Sequence, residues 1–188
     1  TQRLVRAATG LILRKPITVI GDPYWTDVFV KDVDGCGSDL DEYARRNLIC
    51  ALTYGHSNTL VDFPAPRGAR SLAEERLQNR RPYWIEIDPS NIYGWRLDRE
   101  VNYGKLIQVR IAEKAVVPDG DFGEKVYEQI RVIEPGKYRI YRKRETTKDM
   151  YTEDDAFAGN FDSPADEKDY ELVESGDFSL GEIPLVTV

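Results

Sequence analysis

The sequence predicts an α+β protein, with helices in its N-terminal part followed by a mainly antiparallel β-sheet. Three observations carry that prediction. Leu4, Ala7, Ala8, Leu11 and Ile12 recur at helical spacing, and so do Leu40, Tyr43, Ala44, Leu48, Ala51 and Leu52, the expected buried face of a second helix. From Tyr83 onward the apolar period shortens to two, as in Tyr83-Trp84-Ile85-Glu86-Ile87-Asp88. Finally, Pro135-Gly136 separates two strand-like runs, the arrangement of a hairpin turn.

Each element has its own warrant. In the first helix Arg3 and Arg6 lie outside the apolar stripe, which is expected to face the core. Arg14-Lys15-Pro16 ends it, with positive charge in the last turn and then a residue that cannot continue the helix. Residues 17–20 read as a short strand, stopped by the turn signal Gly21-Asp22-Pro23. Ser38-x-x-Asp41 has the form of a capping box and places the start of the second helix at Ser38, although Glu or Gln is the usual partner there. Gly55 stands where a left-handed C-cap residue belongs.

Residues 59–63 then form a strand, and Pro64, Pro66 and Gly68 a loop. Ser71-x-x-Glu74 is a better capping box and opens a short helix to about Asn79. Residues 105–117 alternate, with Ile107, Val109 and Ile111 on one face; residues 126–133 and 138–142 are the two arms of the hairpin. Residues 145–169 are acidic and lack an apolar period, so a mobile loop or an excursion at the domain edge is expected. Residues 170–173 and 183–188 return as strands, and no internal repeat is visible.

At 188 residues the chain suits one domain, spanning 1–188, with enough length for a hydrophobic core. With 41% hydrophobic and 31% charged residues, its composition is that of a soluble globular protein. No apolar run reaches the roughly 18 residues of a membrane span, and Arg3 and Arg6 interrupt the only stretch that could resemble a signal peptide. Cys36 and Cys50 are too few for a disulfide framework, which favours a reducing compartment. The formal charge of −7 argues against a domain that grips phosphates, though not against a surface past which DNA slides. The chain opens inside an apparent helix, has Met150 as its only methionine and stops in a strand-like run, so a piece of a longer protein is expected.

Candidate chemistry is sparse. His56 is the only histidine, and Ser57, Cys36 or Cys50 are the nucleophiles it could serve. No nucleophile elbow or protease signature surrounds them, and a helix-terminal polar residue after Gly55 is the simpler reading. One histidine and two scattered cysteines do not make a zinc site.

Asp32, Asp34 and Asp41 flank a glycine-rich turn that can be compared with a calcium loop. Gly37 fits the sixth position, whereas Cys36 and Tyr43 fail at the fifth and twelfth. A glycine turn feeding a helix N-terminus explains the acids without metal. Phosphate-cradling glycine motifs are absent. Arg76, Arg80 and Arg81 beside Tyr83 and Trp84 could grip a single strand, but a solvated helix end next to core aromatics is the simpler expectation. No catalytic, cofactor-binding or metal residue is therefore nominated.

Several ordered segments resemble a family of tailed-bacteriophage portal proteins. They are residues 10–16 (GLILRKP), 34–38 (DGCGS), Tyr54-Gly55 leading to 60–64 (LVDFP), Arg81-Pro82-Tyr83, 92–96 (IYGWR), 128–132 (EQIRV) and 181–186 (GEIPLV). The resemblance implies a structural subunit, not an enzyme, that assembles with itself into a ring, typically of about twelve copies. Such a ring sits at one capsid vertex of the virion, having been assembled in the host cytoplasm. The implied partners are the capsid protein, the packaging terminase, a head-tail adaptor and double-stranded DNA that passes through without being read. No membrane and no cofactor are implied.

In such proteins a run like Ile183-Pro184 precedes the channel-lining helices, so this chain would be the outer, wing-like part. Two rivals stand beside this reading. One is an uncharacterised hydrolase using acidic residues, which a cleft with perturbed carboxylates would favour. The other is a different phage connector or tail component, distinguished by ring size.

Overall fold

The computed structural model describes residues 2–64, 74, 80–101, 104–144 and 169–188. The short helix expected from Ser71 and the acidic segment at 145–169 lie outside the described residues, Glu74 and Asp169 apart. The chain is α+β and divides into two compact units: Thr1–Ser90 together with Pro184–Val188, and Asn91–Ile183.

The first unit holds α1 (Gln2–Ile12), α2 (Pro23–Asp27), a 3-10 turn (Phe29–Lys31), α3 (Leu40–Tyr54), β1 (Asn58–Asp62), β2 (Tyr83–Ile87) and β8 (Leu185–Thr187). Its sheet has the order β2-β1-β8, antiparallel throughout, and β1 pairs from Asn58↔Ile87 to Asp62↔Tyr83. Gly55 ends α3 in the left-handed conformation at φ 88°, as its position predicts. Phe29, Val33 and Tyr43 form a buried cluster, with Leu40 and Trp84 packed against it. Ring contacts of 5.1 to 5.3 Å link Trp25, Phe29, Trp84 and Tyr43 in a row, mostly edge-to-face.

Four expectations need correction here. First, α1 forms where predicted but its apolar stripe is not the buried face: Leu4 and Leu11 are each 74% exposed. The helix is turned by about one residue, so Thr9 is buried with Val5 and Ala8 half-buried beside it. Thr9 can be buried because its hydroxyl donates to the Val5 carbonyl at 2.9 Å.

Second, residues 17–20 join no sheet among the described residues; the Ile17 N–H donates instead to Asp41 Oδ1 at 2.7 Å. Third, α3 is capped by Asp39, not Ser38: Asp39 Oδ1 accepts the Glu42 N–H at 2.8 Å, while the Ser38 hydroxyl accepts from Arg46 Nη1 at 2.9 Å. Asp39-x-x-Glu42 is the better-formed box, and it wins. Fourth, Leu52 is exposed, and Tyr43 and Cys50, seven residues apart, carry the buried side of α3. The Gly21-Asp22-Pro23 turn also starts a helix, α2, too short to leave a periodic signal in the sequence. Asp22 Oδ1 accepts the Tyr24 N–H at 2.8 Å, and Pro23 occupies the first helical position.

The second unit is a five-stranded antiparallel meander of β3 (Ile92–Leu97), β4 (Leu106–Asp119), β5 (Gly123–Glu134), β6 (Lys137–Lys143) and β7 (Tyr170–Asp177). Every neighbour in space is a neighbour in sequence, the simplest wiring an antiparallel sheet can have. The turn at Pro135-Gly136 is present, with Gly136 at φ 79°, a conformation open to glycine. Val109, Ile111, Ile133 and Ile140 are buried on one face, while Ile130 and Val132 are buried on the other. Gly176 pairs with Tyr138 across β6 and β7, and a Cβ there would come within 2.6 Å of the tyrosine ring. A larger residue there would have to push that ring aside. No helix among the described residues is long and apolar enough to cross a membrane.

Candidate functional site

The Cys50 thiol donates to the His56 backbone carbonyl at 3.8 Å, a contact that leaves the imidazole out. Among the described residues no hydrogen bond joins the His56 ring to Ser57, Cys36 or Cys50. Ser57 is buried and its backbone exchanges two hydrogen bonds with Val188, at 2.9 and 3.0 Å, a structural use. Burial pushes the Cys50 thiol up, with Glu86 and Asp88 adding to the effect, so it stays protonated and weakly nucleophilic. Cys36 is exposed and sits in the glycine turn.

That turn is held by its own acids. Asp32 Oδ1 accepts the Gly37 N–H at 2.9 Å, and its Oδ2 meets Arg81 Nη2 at 2.6 Å. Asp34 Oδ1 accepts the N–H groups of Cys36 and Ser38 at 2.9 and 3.1 Å, and its Oδ2 meets Arg46 Nη2 at 3.2 Å. Burial alone would raise the Asp34 carboxyl, but the Ser38 hydroxyl, these two N–H groups and Arg46 outweigh it and hold the group far below the usual carboxylate range. Arg46 also meets Glu86 at 3.2 Å and Glu42 at 3.4 Å.

Two arginines thus fill the positions a cation would take. Among the described residues no cluster of three or more His, Cys, Asp or Glu side chains is placed to hold a metal ion. Millimolar calcium is therefore expected to leave the melting temperature unchanged. A site filled at a hundred times its dissociation constant would add about 2.7 kcal/mol, which a thermal scan resolves. A rise abolished by Asp34→Ala would overturn this account of the loop.

The basic patch at the end of the Pro-rich loop is also different from its sequence expectation. Arg76 lies outside the described residues. Arg81 is not a solvated side chain: it is 4% exposed, paired with Asp32, and its guanidinium lies 5.6 Å from the Phe29 ring centre. Arg80 Nη2 donates to the Pro64 carbonyl at 3.0 Å, and its guanidinium lies over Phe63. Trp84 belongs to the aromatic row of the core, as expected.

A different site emerges on the five-stranded sheet, where one face carries a pocket of about 280 Å3. Buried Ile130 and Val132 from the central strand β5 form its apolar floor. Arginines reach it from three strands: Arg96 from β3, Arg110 from β4 and Arg139 from β6. Tyr93, Tyr141 and Tyr170 complete the wall with Gln108.

Local geometry explains how arginines fit. The register of β3 against β4 slips between Ile92 and Gly94, setting Gly94 opposite Arg110. A Cβ on Gly94 would lie 2.5 Å from Arg110 Nη2, so an added methyl would push that guanidinium aside. Arg110 also lies 5.7 Å from the Tyr93 ring centre.

Charge is unevenly shared in this pocket. Glu134 Oε2 meets Arg139 Nη2 at 2.9 Å and Lys137 Nζ at 3.0 Å, while its Oε1 accepts from Gln108 Nε2 at 2.9 Å. Burial pushes the Glu134 carboxyl up, but Gln108, Lys137 and Arg139 together hold it below its ordinary value. Arg139 is therefore paired, with a carboxylate that it shares with Lys137. Arg96 and Arg110 have no carboxylate within ion-pair distance among the described residues, and the buried Arg110 Nε lacks a hydrogen-bond partner. Burial raises the Tyr170 phenol, Lys143 opposes this and Glu128 reinforces it, so the hydroxyl keeps its proton and can donate.

No family model matches the chain, and no curated protein does.

Proposed function

We propose that this chain is the wing-like part of a ring-forming portal subunit of a tailed bacteriophage, a structural component with no catalytic role. The observation that carries the reading is the ordered set of portal-like segments and the work those residues do in the fold. Asp34 of DGCGS fixes the turn into α3, Gly55 caps that helix, and Leu60 of LVDFP is buried in the central strand β1. Arg81 holds the buried ion pair, Gly94 of IYGWR seats Arg110, and Leu185 of GEIPLV pairs with Leu60.

The uncovered apolar residues of α1, Leu4, Leu11 and Ile12, form the kind of surface that a neighbouring subunit covers. The partners under this reading are further copies of the subunit, the capsid protein, the packaging terminase and the head-tail adaptor, with double-stranded DNA passing through the ring. Its place is the portal vertex of the virion. The hydrolase reading has less support: Asp32 and Asp34 are tied to arginines, and the open pocket is lined by arginine and tyrosine, without a pair of acids.

End-on particle images of the complete protein test the proposal. They are expected to show closed rings of about twelve subunits, while the 188-residue chain alone sediments as a monomer or small oligomer. A complete protein that remained monomeric would sink the assignment, and a different ring number would favour another connector or tail component.

A further inference from the structure

We infer that the arginine and tyrosine pocket on the five-stranded sheet is a binding site for a phosphate group, carried by a free nucleotide or by a single nucleic-acid strand. The inference does not depend on the portal reading. Among the described residues, Arg96 and Arg110 line one pocket without a carboxylate partner, whereas Arg139 beside them is paired with Glu134. Among the described residues that leaves two guanidinium charges unmatched, which suits a doubly charged oxyanion better than a single carboxylate.

The donors are set by the fold before any ligand arrives. Arg110 is laid over Tyr93 by the absence of a side chain on Gly94, so its planar fork has lost much of its freedom already. Tyr170, neutral at ordinary pH, can add a hydroxyl donor. The remaining surface, Tyr141 with the floor of Ile130 and Val132, is apolar and aromatic, which suits a base or ribose attached to the phosphate. The volume of about 280 Å3 accommodates a ligand of that size. Although the whole chain carries a charge of −7, two carboxylates beside this pocket are already engaged, Glu134 by Gln108, Lys137 and Arg139 and Glu128, near Tyr170, by Lys143.

Titration calorimetry on the 188-residue chain at low salt, with inorganic phosphate, adenosine monophosphate and oligothymidylate as probes, tests this. Saturable binding at or below about 1 mM is expected for at least one probe. The double variant Arg96→Gln/Arg110→Gln should weaken it by at least about tenfold. Gly94→Ala should weaken it in the same sense, because the added methyl displaces the Arg110 guanidinium. Should the double variant fail to fold, Arg96→Gln alone keeps the test valid, since Arg96 is exposed and makes no ion pair among the described residues. Arg142, which lies over Tyr127 on the opposite face of the sheet, is the control: Arg142→Gln should leave affinity unchanged.

Tighter binding of oligothymidylate than of the mononucleotide would identify the phosphate as that of a strand, and the reverse order a free nucleotide. No saturable binding of any probe, or binding indifferent to Arg96 and Arg110, would overturn the inference.

Discussion

Replacing Arg81 by methionine is expected to destabilise the protein by about 3 kcal/mol, at the lower end of the range for breaking a buried ion pair. Arg81 is 4% exposed, and its Nη2 meets Asp32 Oδ2 at 2.6 Å. Methionine keeps most of the apolar stem that packs near Phe29, so the loss reports the charge and its hydrogen bonds. What remains is the Asp32 carboxylate without its cation. That group is 30% exposed and still accepts the Gly37 N–H, so water relieves part of the penalty. Asp32→Asn should cost at least as much, because it strands the more deeply buried partner. The double variant should recover part of the sum, since neither charge is then left alone. Urea unfolding followed by tryptophan fluorescence measures all three. Losses below about 1 kcal/mol for both single variants would show that the pair is a surface contact in effect.

In the sequence Asp32 stands in a glycine turn and Arg81 in a basic patch, and no local signal joins them. They lie 49 residues apart in the chain, and their meeting depends on β2 running beside that turn: the Trp84 N–H donates to the Val33 carbonyl at 2.8 Å. What was legible was periodic. The regular alternation after residue 83 marks β2 and β4, and Pro135-Gly136 fixes the register of β5 on β6, because turn chemistry and pleat agree there.

Where periodicity is silent, the sequence is less informative. Spacing reveals the apolar stripe on α1 but not which face meets α3, since it says nothing about partners. Ile17-Thr18-Val19-Ile20 has the propensity of a strand, but propensity without a neighbouring strand leaves the ladder unmade.

The phosphate pocket was harder still. Its arginines and tyrosines stretch from Tyr93 to Tyr170 and converge only when four strand registers are known. β3 itself was missed, because the slip beside Gly94 breaks its alternation and Trp95 stays exposed. One signal was available: a glycine inside an aromatic, strand-like run such as Ile92-Tyr93-Gly94-Trp95 marks a place where another group approaches closely. Polar side chains at alternate positions, Gln108 with Arg110 and Arg139 with Tyr141, then point to one sheet face that is not simply core.

In the five-stranded unit the largest loss is expected at Ile111, where substitution by alanine should cost about 3 kcal/mol. Ile111 is 1% exposed and lies on the buried face with Val109, Ile133 and Ile140. It is covered from both sides within the sheet, pairing with Ile92 of β3 and Arg131 of β5, so backbone adjustment cannot readily close the cavity left by its missing atoms. Val116, five residues along the same strand, supplies the contrast. There β4 has run beyond its pairing with β3 and is matched only by β5, opposite Val126, and Val116 is 56% exposed. Both residues are β-branched and favour strands equally, so propensity predicts similar costs for the two alanine variants. Burial predicts a ratio of at least about six, with Val116→Ala below about 0.5 kcal/mol. Denaturant unfolding of the two variants decides between them: comparable losses would mean that strand propensity, and not packing between strands, holds this sheet together.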